Sequence, residues 1–209
     1  VATDGKRLAK IEKTLEGKRE ALPGVIVPVK CMQLIEKICV TSQNKGETVA
    51  KIKILESQIC AETGNSIIIS RLVEGHYPDY EAVVPKDNNK FLQVDVKEFS
   101  QLISEGSVLG DKESNSIKFT FEGKKIVLSS RSVNVGEAVV ESEVDYDGDN
   151  LVTAFNPVYI QEALKAVEGG VVKFEFKDGE SATAMTIVSL VADTSLNYSY
   201  IYVVMPLDT

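Results

Sequence analysis

The sequence predicts an α+β protein built from a repeated unit of one strand, one helix and three further strands. Two observations support this prediction. An apolar strand leads into an amphipathic helix at three places, and the helix starts, at Pro28, Asp95 and Asn156, are almost evenly spaced. After each helix, turn signals such as Thr63-Gly64-Asn65 separate short strands rich in β-branched and aromatic residues. We therefore expect each unit to pair its sheet with a neighbour's and to lay its helix on one side.

The helix of the first unit is indicated by apolar spacing. Four residues recur at i, i+3, i+4 and i+7 and so share one helical face: Cys31, Leu34, Ile35 and Ile38. The predicted elements of this unit are a strand at 25–28, a helix from about 29 to 39, and strands at 48–55, 58–63 and 66–73.

The helices of the second and third units have local start signals. Asp95 and Asn156 are natural N-caps, and Pro157 stands at a first helical position, where its missing N–H costs nothing. The second helix is expected to end near residue 104. The predicted strands are 92–95, 116–122, 124–130 and 138–144 for the second unit, and 151–155, 171–177, 182–192 and 198–205 for the third.

Bulk composition limits the classes of protein to which the chain can belong. Hydrophobic residues make up 44% of the 209 residues, which is enough for a packed core. No apolar run approaches the roughly 20 residues that span a bilayer. The net charge of −8 argues against salt-sensitive DNA binding over the whole surface. It leaves open a ring that encloses DNA, because only the inner wall of a ring must avoid repelling phosphate.

The cysteines and the only histidine do not indicate a metal site or an enzyme. Cys31, Cys39 and Cys60 lack metal-ligand spacing and are expected to be free thiols in a reducing cytoplasm. His76 lies in a turn context, and the sequence contains no G-x-S-x-G, P-loop, G-x-G-x-x-G or H-E-x-x-H motif. We expect no catalytic residue, no metal and no cofactor. The alternative, a Ser/His/Asp hydrolase, would need His76 held against a nucleophile.

The end of the chain is unusually apolar. Residues 200–204 read as a strand, and Pro206 stops it because proline has no N–H to donate to a ladder. Met205 and Leu207 remain apolar where a terminus is normally polar. Two interpretations are open: a core strand that ends the chain, or a tail that forms one wall of a surface pocket.

Four motifs occur in order along the chain: VATDGKRLA at 1–9, GHYPDY at 75–80, FNPVY at 155–159 and YVVMPL at 202–207. Together they closely resemble the bacterial DNA polymerase III β subunit, the sliding clamp. The resemblance implies the DNA-clamp fold, with helices on one face of antiparallel sheets. It also implies that residues 1–78 are the C-terminal part of the middle domain and residues 79–209 the complete C-terminal domain. Since the chain begins with an apolar strand and without methionine, we expect it to be a C-terminal fragment.

The resemblance also implies a function. The family's full-length homodimer is a ring that encircles double-stranded DNA without sequence specificity. It is a cytoplasmic, non-catalytic processivity factor, and it tethers the polymerase and the clamp loader through their short linear motifs. A stand-alone peptide-binding adaptor that does not encircle DNA is the alternative.

The resemblance assigns three sets of residues in this sequence. The peptide-binding set is Thr3, Gly5, Lys6, Arg7, Leu8, Pro78, Val83, Asn156, Tyr159, Val203, Val204, Met205, Pro206 and Leu207. The DNA-facing set is Lys30, Lys97 and Lys165, and the dimer-interface set is Val108, Leu109, Glu137, Glu141 and Glu143. For these lysines and glutamates, an ordinary solvated surface is the alternative. The sequence departs from the family at Lys6, at Ala82 and at the final Asp208-Thr209, so we expect a less basic peptide site.

Overall fold

The start of the chain packs with its end rather than with the segment that follows it. The computed structural model describes residues 1–14, 24–44, 46, 49–109, 115–132, 136–167, 169–188 and 198–207. The chain divides into two compact units. The larger unit comprises Val1–Leu15 and Asp79–Thr209, and the smaller unit comprises Glu16–Pro78.

The repeated pattern predicted from the sequence is present in full in the second and third units, and the first unit keeps its helix and its three following strands. In the described part of the chain, the helices are α1 (Val29–Gln43), α2 (Val96–Gly106) and α3 (Pro157–Lys165), and a short 3₁₀ turn spans Tyr80–Ala82. The strands are β1 (Ala2–Thr3), β2 (Arg7–Lys13), β3 (Lys51–Ile54), β4 (Gln58–Thr63), β5 (Ser66–Arg71), β6 (Lys90–Asp95), β7 (Ile117–Glu122), β8 (Lys125–Ser132), β9 (Gly136–Glu143), β10 (Asp145–Asp147), β11 (Leu151–Phe155), β12 (Val171–Phe176), β13 (Thr183–Val188) and β14 (Tyr198–Val204).

The described residues of the larger unit form two antiparallel sheets. The strand order is β1-β2-β14-β13-β12-β6-β10 in one sheet and β11-β7-β8-β9 in the other. Strand β2 lies beside β14, so that Leu8 pairs with Val203 and Arg7 with Val204. This pairing brings the first residues of the chain next to the last described ones.

A continuous apolar core joins these two sheets to α2 and α3. The rings of Phe99 in α2 and Phe174 in β12 lie 5.3 Å apart between centroids. Phe119 in β7 and Phe155 in β11 meet edge to face at the same centroid distance. Because Phe155 is the last residue of β11, this packing fixes the point at which α3 begins.

In its described residues, the smaller unit consists of one helix packed on one antiparallel sheet. The strand order is β3-β4-β5, and α1 packs against β4 and β5. Cys31 is buried, Cys39 and Cys60 are half-buried, and all three are free thiols.

Most predicted element bounds agree with the structure to within a few residues, and three differ in an informative way. The predicted strand at 25–28 is reduced to a single bridge between Ile26 and Val73. Helix α1 continues past residue 39 to Gln43, and the Thr41 hydroxyl there donates to the Lys37 carbonyl at 2.8 Å. The predicted strand at 182–192 begins at Thr183, and its end beyond Val188 lies outside the described residues.

Candidate functional site

The turn between β1 and β2, residues 3–7, is tied together by its own polar side chains. The Asp4 carboxylate accepts hydrogen bonds from the backbone N–H groups of Lys6 at 3.0 Å and Arg7 at 3.1 Å. The Thr3 hydroxyl donates to the Arg7 carbonyl at 2.7 Å. Gly5 has φ +85°, a left-handed conformation that favours glycine. We call residues 3–7 the hairpin turn. It therefore presents Arg7 from a fixed backbone.

Arg7 reaches from the hairpin turn to α3. Its guanidinium pairs with the carboxylates of Asp4 and Glu162, and its Cζ lies 4.1 Å from the centroid of the Tyr159 ring. Burial alone would lower the pKa of Arg7, but hydrogen bonds with Glu162, Asp4 and Tyr202 outweigh burial and raise that pKa above its usual value. Arg7 is thus a permanently charged group whose Nε and one terminal nitrogen already pair with carboxylates.

The start of α3 is set by local sequence and anchored by the last strand. The Asn156 side chain accepts a hydrogen bond from the Val158 N–H at 2.9 Å, which confirms the predicted N-cap. The Tyr202 hydroxyl donates to the Tyr159 carbonyl at 3.0 Å. Burial raises the pKa of Tyr202, and the Arg7 charge offsets only part of that increase. Tyr202 therefore stays neutral and links β14 to the first turn of α3.

The tail, residues 205–207, lies between the hairpin turn and β11. The Met205 N–H donates to the Lys6 carbonyl at 2.9 Å, and the Leu207 N–H donates to the Ala154 carbonyl at 2.8 Å. Pro206 between them has no N–H to satisfy. Val203 and Val204 below the tail are buried, whereas 42% of Met205 is exposed. The strand therefore belongs to the core and the tail lies at the surface, and the tail as one wall of a pocket stays a prediction.

The structure brings most of the predicted peptide-binding residues into one unit. The exception is Pro78, in the connection before β6. Val83 follows the 3₁₀ turn and is exposed, but it lies in the larger unit. Pro78 lies in the smaller unit. The residues assembled around the tail are Thr3, Gly5, Lys6, Arg7, Leu8, Asn156, Tyr159, Val203, Val204, Met205, Pro206 and Leu207.

Three residues of this assembly were missed from the sequence: Asp4, Glu162 and Tyr202. Asp4 could have been found, since an aspartate before glycine in a tight turn commonly bonds the backbone ahead of it. Glu162 stands three residues after Tyr159 and therefore on the same helical face, but nothing local indicates its distant partner.

The predicted DNA-facing lysines lie on all three helices. Lys97 of α2 and Lys165 of α3 line one cavity of about 420 Å³ between those helices. Lys30 lies in the first turn of α1 in the smaller unit. No tail residue lines this cavity.

Three of the predicted dimer-interface residues, Glu137, Glu141 and Glu143, lie on β9, which is an edge strand in the described part of its sheet. Glu141 pairs with Lys125 on the neighbouring strand. Glu141 and Glu143 line an acidic cavity of about 460 Å³ that also contains Glu98 and Glu105 of α2. Val108 is 72% exposed just after α2, and Leu109 beside it is half-buried.

Among the described residues, His, Cys, Asp and Glu side chains form no cluster of three that could hold a metal ion. No helix in the described ranges is long and apolar enough to cross a membrane.

Repeated strand–helix–three-strand units on antiparallel sheets define the class of DNA-clamp proteins. The profile for the central domain of the DNA polymerase III beta subunit matches residues 1–79, and the profile for its C-terminal domain matches residues 81–207. The chain belongs to the DNA polymerase III beta subunit family.

Curated relatives of the chain are beta sliding clamps. The chain is 33% identical to the clamp of Caulobacter vibrioides (strain NA1000 / CB15N) over 207 residues, which cover 99% of this chain and 53% of that protein. It is 34% identical to the clamp of Staphylococcus aureus (strain Mu50 / ATCC 700699) over 177 residues, which cover 84% of this chain and 46% of that protein. The chain thus spans about half the length of the curated relatives it matches.

Solved structures confirm the predicted DNA-clamp fold. The DNA polymerase III beta subunit of Thermotoga maritima superimposes with a TM-score of 0.82 at 29% identity, covering 100% of this chain and 53% of that chain. A sliding clamp from Pseudomonas aeruginosa bound to griselimycin gives a TM-score of 0.82 at 26% identity, with the same coverage of 100% and 53%.

Proposed function

We propose that this chain is the peptide-binding part of a sliding clamp, a non-catalytic processivity factor of the bacterial replicative polymerase. Family membership and the similarity to proteins named beta sliding clamp support this proposal. Because the chain spans about half the length of those relatives, DNA encirclement and homodimer formation are proposed for the family's full-length protein. The same proposal includes the division into clamp domains at residues 1–78 and 79–209. A factor that acts on the bacterial chromosome works in the cytoplasm.

The observation that carries the proposal is the tail held between the hairpin turn and β11. Two backbone hydrogen bonds, to Lys6 and Ala154, fix the tail without using its side chains. Met205 is consequently presented at the surface above buried Val203 and Val204. An exposed methionine beside the half-buried Pro206 and Leu207 offers an adaptable apolar surface that suits the leucine or phenylalanine anchor of a short peptide.

Polar groups around the tail would set the register of the peptide. Asn156 uses its side-chain oxygen for the helix cap, which leaves its amide hydrogens for a ligand carbonyl. The partners would be the short linear motifs of the polymerase and of the clamp loader. Val83 and Pro78 complete the proposed peptide-binding set.

A binding titration tests this proposal. Wild-type protein and a variant that ends at Val204 are each titrated with a synthetic Gln-Leu-x-Leu-Phe peptide by calorimetry. We expect wild type to bind in the micromolar range, about −8 kcal/mol, and the shortened variant to lose binding. Val139→Ala, an exposed change on β9 away from the tail, is the matched control and should bind like wild type. Equal binding by wild type and the shortened variant would refute the role of the tail.

The DNA and dimer surfaces belong to the same proposal. Lys97 and Lys165 would lie along the DNA backbone, and Lys30 of α1 is the third proposed DNA-facing residue. The exposed edge of β9 and Val108 would meet another subunit, with Leu109, Glu137, Glu141 and Glu143 around them. The adaptor alternative is favoured by the net charge of −8. Retention on circular DNA that is lost when the DNA is linearised, measured on the full-length protein, separates a ring from an adaptor.

A further inference from the structure

We infer that Glu162 is a positioning residue for peptide binding, because it holds Arg7 against α3 and so fixes the hairpin turn as one wall of the peptide site. The inference rests on the proposed peptide-binding function. It adds a residue outside the sets that the sequence motifs assign.

The contacts of Arg7 divide into two kinds. Asp4 pairs with the Arg7 Nε at 3.0 Å, but Asp4 belongs to the hairpin turn itself and moves with it. Glu162 pairs with a terminal nitrogen of the same guanidinium from a position 155 residues away in sequence. Glu162 is therefore the charged contact that ties the turn to α3.

The position of Glu162 on the helix explains why its carboxylate reaches Arg7. Glu162 and Tyr159 are three residues apart on α3, so their side chains emerge on the same face one turn from each other. The guanidinium lies over the Tyr159 ring with Glu162 at its edge. A planar guanidinium held at its edge and its face has little freedom to rotate. Lys6 beside Arg7 takes its backbone position from the same turn, and its carbonyl accepts the Met205 N–H.

The charges of this cluster have a consequence for the ligand. The single positive charge of Arg7 faces the two carboxylates of Asp4 and Glu162. With its Nε and one terminal nitrogen paired with carboxylates, Arg7 offers little net attraction to a carboxylate of the peptide. The wild-type site should therefore gain little from an acidic residue in the ligand. Removing the Glu162 charge would release Arg7, so an acidic peptide should lose less affinity than a neutral one.

The experiment combines a double-mutant cycle with two peptides. Glu162→Gln, Arg7→Lys and the double variant are titrated with a neutral clamp-binding peptide and with the same peptide carrying one added glutamate. We expect Glu162→Gln to weaken the neutral peptide about threefold to tenfold, a modest effect because 53% of the Glu162 side chain is exposed. The double variant should bind the neutral peptide with an affinity no lower than that of Arg7→Lys alone. The acidic peptide should lose less affinity than the neutral one, and this difference should shrink at high salt.

The control is Glu12→Gln. Glu12 lies on β2, the strand that also contains Arg7, and it forms an exposed pair with Lys10 that does not involve α3. The Glu12→Gln variant should bind both peptides with the affinity of wild type. Rotation of the Arg7 guanidinium about its Nε–Cζ bond, measured by NMR at the terminal nitrogens, should be faster in Glu162→Gln than in wild type.

The outcomes separate this inference from the function on which it rests. If wild type binds the neutral peptide and Glu162→Gln binds it equally well, the positioning role is overturned and the proposed function stands. The same conclusion follows if the losses of affinity in Glu162→Gln and Arg7→Lys add up in the double variant. Failure of folded wild type to bind either peptide overturns the proposed function and the inference with it.

Discussion

The close approach of Gly179 to β11 makes a steric prediction. Gly179 lies between β12 and β13, and its carbonyl accepts a hydrogen bond from the buried Thr153 hydroxyl at 3.0 Å. A Cβ atom at this position would stand 2.1 Å from the Val152 carbonyl oxygen. Relief of that overlap requires one backbone segment to move by about 1 Å, since non-bonded heavy atoms prefer separations well above 3 Å. We therefore expect Gly179→Ala to strain β11 along its whole contact with the 177–181 turn.

The expected cost is about 3 kcal/mol, the upper part of the range for overpacking, because the opposing atom is backbone and cannot rotate away. For a unit of this size, that corresponds to a decrease in Tm of about 6–12 °C. The assay is urea unfolding followed by tyrosine fluorescence. This signal reports mainly on the larger unit, because Tyr77 is the only one of the seven tyrosines in the smaller unit. Peptide binding should weaken as well, because Ala154, two residues after Val152 on β11, accepts the Leu207 N–H and so anchors the tail.

Gly123→Ala is the matched control for this experiment. Gly123 has φ +59° but no atom within 4 Å of an added Cβ, so it should cost only the left-handed backbone strain of about 1 kcal/mol. If Gly179→Ala is no more destabilising than Gly123→Ala, the close approach does not limit this turn and the reasoning is refuted.

Two further predictions concern single side chains of the larger unit. Burial raises the pKa of Tyr200 from 10.0 to about 12, so its contribution to stability is complete below about pH 10 and is lost as the pH rises towards 12. Tyr200→Phe should abolish this alkaline loss of stability, which amounts to up to about 2 kcal/mol in wild type. The measurement is the urea midpoint of both proteins at pH 8 and at pH 11, about the middle of that window. If the midpoint falls by the same amount in Tyr200→Phe as in wild type, the prediction is wrong. Asn156→Ala should cost about 1 kcal/mol through loss of the α3 cap, while Asn156→Asp keeps a capping oxygen. Equal destabilisation by both substitutions, measured in urea, would show that the cap is not the cause.

Part of the candidate site could be predicted because its determinants are local. Asp4-Gly5 indicates a tight turn from two adjacent residues. Asn156-Pro157 indicates a helix start in the same way. The stop at Pro206 follows from a missing N–H. Each of these features depends on neighbours within a few residues, so a pattern in the sequence is enough to find it.

Other parts of the site could not be predicted from the same sequence. Nothing in the apolar alternation of β2 or β14 says that these strands are neighbours, because any strand with a similar pattern offers an equivalent edge. The strand pattern alone therefore does not predict that Leu8 pairs with Val203. Residues 25–28 have a composition typical of a strand, but they form only the bridge between Ile26 and Val73, because strand composition does not guarantee a partner strand.

The sequence by itself determined the repeat, the helix starts and the turn that presents Arg7, since propensity, capping and turn chemistry act over one or two turns of chain. The tertiary structure decided which charge meets Arg7. Glu162 and Arg7 are 155 residues apart, and they meet because β2 adds to the edge of β14 while Tyr202 anchors α3. Long-range pairing depends on the complete set of competing edges and faces, and a short stretch of sequence does not contain that information.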